Sequence, residues 1–185
     1  MSDIGQNFQN MIASGLSPDG NVRATITGER ILNFIFEPRA FERYEARDLE
    51  RQLAGLAVST WLDWVRQRRE ISRLASGLSH SEAEAARRES KDQIPRGYLE
   101  ALRTVECEGF SSGHLVSVRT HGMTRWHVGV DDGTPHRIGV REFTSELRSA
   151  FDSLMRDRES KIVLLRADYF DIGVPHQWRA RFEER

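Results

Sequence analysis

"SPDGNVRATITGERILNFIFEP", residues 17–38, alternates apolar and polar positions on either side of a Gly28-Glu29 turn. Asp19-Gly20 opens it and Pro38 closes it, the punctuation of a β-hairpin. The pattern predicts antiparallel strands over 22–27 and 30–36. Val22, Ala24, Ile26, Leu32, Phe34 and Phe36 share a buried face; Arg23, Thr25, Thr27, Asn33 and Ile35 lie on a mostly wet one. A two-stranded ribbon is marginal in water by itself. The rest of the chain must therefore supply what it packs against.

Upstream, Phe8, Met11 and Ile12 fall on helical spacing, so 3–14 reads as a short amphipathic helix with Gly15 as its stop. Downstream, Leu49, Leu53, Leu56, Ala57, Trp61, Trp64 and Val65 form a long helical stripe over 46–71. Leu53, Trp61 and Trp64 on such a stripe are expected core or interface residues. Residues 72–97 read as a connector, in which Ser81 and Glu84 fit a capping box opening a short charged helix before Pro95 and Gly97.

The second half then echoes the first. Shifted by 94 positions, "GLSPDGNVRATITGERILNFIFE" falls on "GFSSGHLVSVRTHGMTRWHVGVD" without a gap. Over 15–63, nine of 49 positions are identical, where chance would give about three. The pairs are Gly15/Gly109, Ser17/Ser111, Val22/Val116, Gly28/Gly122, Arg43/Arg137, Arg47/Arg141, Leu53/Leu147, Ser59/Ser153 and Asp63/Asp157. The echo predicts a second short helix at 98–104, strands at 114–121 and 124–130, and a long helix at 141–161 whose stripe holds Leu147 and Phe151. The apolar run "KIVLLRADYF" fits either an added strand or an extension of that helix.

The N-terminal copy resembles the YbaB/EbfC family of small bacterial nucleoid-associated proteins. The residues that carry the likeness are the short helix, the quoted ribbon with Gly20 before its first strand, Glu37 at its end, and "ERYEARDLERQLAGLAVSTWLDWVRQRR". It covers about residues 3–75, with a fainter echo over 98–161. The resemblance implies an α/β body that dimerises through sheet and helices and binds double-stranded DNA with little sequence preference. Some actinobacterial relatives are instead encoded among type VII secretion components. This chain is nearly twice the usual length, so its second copy is able to stand in for a dimer partner.

Composition bounds the function. The 185 residues are 38% hydrophobic and 30% charged, with net charge −1, where a dedicated nucleic-acid binder usually shows a basic excess. No apolar run approaches the roughly 18 residues needed to span a bilayer. A lone cysteine, Cys107, excludes a disulfide framework and a cysteine-based zinc site. A cytoplasmic protein, without membrane association, is expected.

Positive charge concentrates in "WVRQRRE", with Arg66, Arg68 and Arg69, and Arg73 one turn on. Such cations are suited to phosphates, and equally to the C-terminal dipole of their own helix. On the second ribbon Arg119 and His121 face Arg125 and His127; like charges so opposed call for an anionic partner or nearby carboxylates. Arg23 and Arg30 are the cations of the first ribbon. Catalytic motifs are absent. "GLSHS" lacks the closing glycine of a nucleophile elbow, no Walker loop or G-x-G-x-x-G occurs, and the six histidines form no HExxH. "DDGTP" reads as a turn, and Cys107 between Glu106 and Glu108 is a poor nucleophile.

The sequence therefore predicts an α+β fold of two tandem YbaB-like α-β-β-α units, 1–75 and 98–170, joined by a charged connector at 76–97 and followed by a tail at 171–185. The body would be pseudo-twofold, as a pseudo-dimeric monomer or a homodimer. The leading expectation is a non-enzymatic nucleoid DNA-binding protein of low specificity, without cofactor or metal, binding through Arg23, Arg30, Arg66, Arg68, Arg69, Arg73, Arg119 and Arg125. The alternative is a protein-interaction or chaperone-like accessory module, as in a type VII secretion locus. One continuous basic stripe across both copies would favour DNA; a patchwork of charge would favour the interaction module.

Overall fold

The computed structural model describes residues 4–170. Helix α1 (Ile4–Gln9) is followed by strands β1 (Ile12–Leu16), β2 (Val22–Thr27) and β3 (Leu32–Phe36) and by the long helix α2 (Ala46–Ala75). Helix α3 (His80–Asp92) leads to α4 (Arg96–Thr104), strands β4 (Glu106–Phe110), β5 (Val116–His121) and β6 (Arg125–Val130), a one-turn helix α5 (Thr134–Arg137) and the long helix α6 (Val140–Tyr169). The fold is mixed α+β, with two antiparallel three-stranded sheets ordered β1-β2-β3 and β4-β5-β6. The boundaries of β1, β2 and α2 recur at β4, β5 and α6 after a shift of 94.

Each half is thus α-β-β-β-α, which corrects the expected α-β-β-α. Residues 12–16 form a strand and not the end of a helix. Along them Ala13 and Gly15 face inward while Ile12 and Leu16 stay exposed, the reverse of the usual pattern. The reason is close packing: a Cβ on Gly15 would come within 2.3 Å of Thr60 Oγ1 on α2, so only a residue without one lets the helix lie that near. Gly109 does the same in β4, 2.3 Å from the Ala150 carbonyl. Two smaller corrections follow. The capping box is Ser79 with Glu82, so α3 begins at His80. Arg30 sits in the β2–β3 turn at φ 66° and not in a strand. The run 161–169 is the last part of α6, and the expected tail at 171–185 lies outside the described residues.

Most identities between the halves have the same structural task. The Ser17 hydroxyl accepts from the Val22 amide at 2.9 Å, and Ser111 from Val116 at 3.0 Å, closing both β1–β2-type turns. Gly28 and Gly122 let the end of α1 and α4 close on the hairpin; added Cβ atoms would meet the Phe8 and Arg103 carbonyls at 1.6 and 2.1 Å. Val22, Val116, Leu53 and Leu147 are core.

The two halves share that core. Helix α2 packs along β1 and also along β6, while α6 packs along β4 and reaches β3. Glu50 of α2 accepts from the Val130 amide at 2.9 Å, and Arg148 of α6 donates to the Leu32 carbonyl and the Asn33 side chain, both at 2.9 Å. Phe36, Phe41 and Phe143 meet edge-on or tilted, and Trp61 contacts Trp126 at 6.0 Å between ring centroids. A cavity of about 60 Å³ remains between Ala24, Leu53, Trp61, Trp126 and Phe151. Apolar burial across this seam holds the halves against one another.

Candidate interaction surface

The long helix α2 outruns the sheets it covers. Its C-terminal half carries Arg66, Arg68, Arg69 and Arg73. The chain then reverses at Gly77, whose φ of 65° suits glycine, and α3 begins after Ser79. Between the two helices runs a groove of about 990 Å³. Trp64, Val65, Leu78, Ala83 and Ala86 contribute apolar surface to it. The four arginines and Arg87 of α3 line it with Glu70 as the one carboxylate and His80 as the one histidine.

These cations are not equivalent. Arg73 is held by Glu70 at 2.9 and 2.5 Å and donates to the Leu78 carbonyl at 2.7 Å, which fixes the turn into α3. That hydrogen-bonded pair keeps the Glu70 carboxyl below its usual range. Arg68 lies over the rings of Trp64 and Phe8, 4.8 and 4.9 Å from their centroids. Arg66 and Arg69 are exposed and make no ion pair among the described residues. Trp64 is 9% exposed, and its indole N–H has no hydrogen-bond acceptor.

The other nominated cations lie elsewhere. Arg30 reaches Glu159 of α6 at 2.5 Å, an ion pair across the halves. Arg23 is exposed on β2, close to Arg66 and Asp63 along β1. On the second sheet Arg119 pairs with His127, and His121 with Arg125, as the alternation requires. The strand missed in the sequence, β4, brings the acids: Glu108 stands opposite Arg119 at 3.6 Å and Glu106 opposite His121 at 3.4 Å. The outer face of this sheet is therefore a mosaic of both signs. The outer face of the first sheet instead carries Ile12, Leu16, Ile31 and Ile35, all at least 49% exposed, with Ile12 and Ile31 at the positions of Glu106 and Arg125. At the positions of α6 matching Arg66, Arg68, Arg69 and Arg73 stand Ser160, Ile162, Val163 and Ala167. The nominated cations form no stripe across both halves among the described residues.

Leu53, Trp64, Leu147 and Phe151 are buried, and Trp61 is half-buried against Trp64 and Trp126. Sequence reasoning did not place Arg87 in the groove, nor Glu50 and Arg148 at the seam; Arg87 reaches the groove, and Glu50 and Arg148 their partners, only through tertiary packing. It also missed Arg158, whose guanidinium lies 6.0 Å from the Trp61 ring and is pulled below its usual value by burial. Cys107 is 1% exposed, and burial with Asp157 beside it pushes its thiol up, whereas Glu106 and Glu108 lie on the opposite, exposed face. Among the described residues no helix is long and apolar enough to cross a membrane, and no three His, Cys, Asp or Glu side chains converge on a metal-sized site. Compared with models of known families, with curated proteins and with solved structures, the chain matches none.

Proposed function

We propose that this chain is a non-enzymatic protein-interaction module of the cytoplasm, with the arginine-lined groove of the α2–α3 hairpin as its working surface. Two tandem units of YbaB/EbfC-like type, closed on one another as a pseudo-twofold, pseudo-dimeric body, form its scaffold. The single observation that carries the reading is that Arg66, Arg69 and Arg87, none of them in an ion pair among the described residues, border one groove with apolar surface on a chain of net charge −1. Sequence-independent DNA affinity comes from many phosphates neutralised at once along a path. Here acids interrupt that path at Arg30, Arg73 and Arg119. A chaperone-like accessory of a secretion locus is one role such a module serves.

A second reading, low-specificity binding of double-stranded DNA in the nucleoid, is favoured by Arg23, Arg66 and Arg69, exposed and without ion pairs. Two measurements separate them. The tagged full chain, purified with and without nuclease, retains a defined protein partner equally in both under the first reading. Under the second, duplex DNA is retarded in a gel at micromolar protein and about 50 mM salt, where phosphate-driven binding is strong.

A further inference from the structure

The groove has the chemistry of a receptor for one kind of segment. It combines apolar surface from Trp64, Val65, Leu78 and Ala86 with cations along its length, Arg66 and Arg69 from α2 and Arg87 from α3. An α-helix about 10 Å across, rising about 1.5 Å per residue, occupies roughly 120 Å³ per residue. At about 990 Å³ the groove has room for a short helical segment. A helix laid in it would turn one apolar face toward Val65, Leu78 and Ala86 and present its flanks to arginines, the arrangement of helix-in-groove recognition.

The wall itself wants an occupant. Among the described residues, helix α3 makes only sparse contact with other elements, and only Ala83 of its 13 residues is buried. An isolated helix of that length is marginal in water even with a good cap. Three of its five groove-lining residues, Ala83, Ala86 and Ser90, are small, which leaves room for a third helix between the arginines. The Trp64 N–H adds a buried donor with no acceptor at the same place.

We infer that the groove between α2 and α3 binds an acidic amphipathic helix of a partner protein, its apolar face on Val65, Leu78 and Ala86 and its carboxylates against Arg66, Arg69 and Arg87. This rests on the interaction reading above and names the partner's chemistry. Phosphate groups of DNA would satisfy the arginines but leave the apolar surface uncovered.

The probe is a fluorescein-labelled synthetic helix of about 18 residues, long enough to fold when bound, with leucines on one face and glutamates beside them. Anisotropy titration against the full chain is expected to give saturable, micromolar binding. Arg66→Glu with Arg69→Glu weakens it at least about tenfold, and a lysine-flanked version of the peptide regains affinity for that double variant. Ala86→Trp, at an exposed position, fills the groove and abolishes binding with an unchanged thermal melt. The inference is overturned by equal binding of a scrambled isomer, by no binding at about 100 micromolar chain, or by indifference to Ala86→Trp. Duplex DNA that binds tighter than the peptide and is blocked by Ala86→Trp also overturns it, in favour of a nucleic-acid groove. A protein that co-purifies equally with wild type and Ala86→Trp removes the groove and leaves the interaction reading standing. Peptide binding with no co-purifying protein removes that reading instead.

Discussion

Asp63 of α2 accepts the Ser14 amide of β1 at 2.9 Å, and Asp157 of α6 accepts the Glu108 amide of β4 at the same distance. Ser14 and Glu108 lie on the edge strands of their sheets. An unpaired edge is a template for pairing with another chain, and each long helix covers that edge with a carboxylate. Ser59 adds a bond to the Leu16 carbonyl at 3.0 Å, and Lys161 one to the Glu106 carbonyl at 2.9 Å. Asp63→Ala is expected to lower stability by about 1–2 kcal/mol, the worth of a charge-assisted bond, and to promote self-association. Asp63→Asn keeps an acceptor and recovers most of both. Urea unfolding and light scattering check the pair; equal behaviour of the two variants would refute the edge-capping role.

Gly109→Ala tests the closeness of helix and strand. The new Cβ would stand 2.3 Å from the Ala150 carbonyl oxygen and 2.3 Å from the Leu154 amide, both backbone atoms of α6. Backbone cannot rotate away as a side chain can, so α6 must move from its strand. A loss of at least about 2 kcal/mol is expected by denaturant titration. A loss below half of that would mean the helix shifts freely.

Thr120 is the polar intruder in the core. It is 1% exposed, takes the inward position that Ile26 holds in the first half, and its hydroxyl has no hydrogen-bond partner. A buried hydroxyl left unpaired is destabilising by about 1–3 kcal/mol. Thr120→Val keeps the shape and removes the hydroxyl, and is expected to raise stability by about 1 kcal/mol. An unchanged or lowered melting temperature would argue that the hydroxyl is satisfied in solution.

Asp19 makes the first turn acid-sensitive. Burial pushes its carboxyl up, but hydrogen bonds from Ser17, Tyr44 and Asn21 outweigh it and hold the group at about 2. The same contact, with burial, pushes the Tyr44 hydroxyl up to about 12. A carboxyl depressed on folding contributes stability that is present above its unfolded value near 4 and lost as pH falls toward 2. Because Asp19 is largely exposed, solvent screening reduces the effect to about 1 kcal/mol. The urea midpoint of the wild type should fall between pH 4 and pH 2 more than that of Asp19→Asn. Parallel pH profiles would place the acid sensitivity elsewhere.

Two hairpins, their inward faces, two long helices and the 94-residue echo are legible from periodicity alone, because Val22, Ala24, Ile26 and their counterparts alternate in register with burial. The first strand of each sheet is not. Gly15 and Gly109 mark a helix passing close by, which no local pattern records, and Ile12 and Leu16 face outward against their hydropathy. That omission carried over to charge. Without β4 beside β5, Arg119 and His121 appear to lack partners that Glu108 and Glu106 in fact supply.

Sequence by itself determined the local elements and their repetition, since amphipathic period and turn chemistry act over a few residues. It also placed the arginines of α2 in one cluster. Only tertiary structure decided that α2 lies against the other half's β6, that acids interrupt the basic residues, and that the arginine cluster borders a groove instead of a flat face. Those outcomes depend on pairs such as Glu50 and Val130, 80 residues apart, whose meeting is set by packing of the whole core and by nothing local to either.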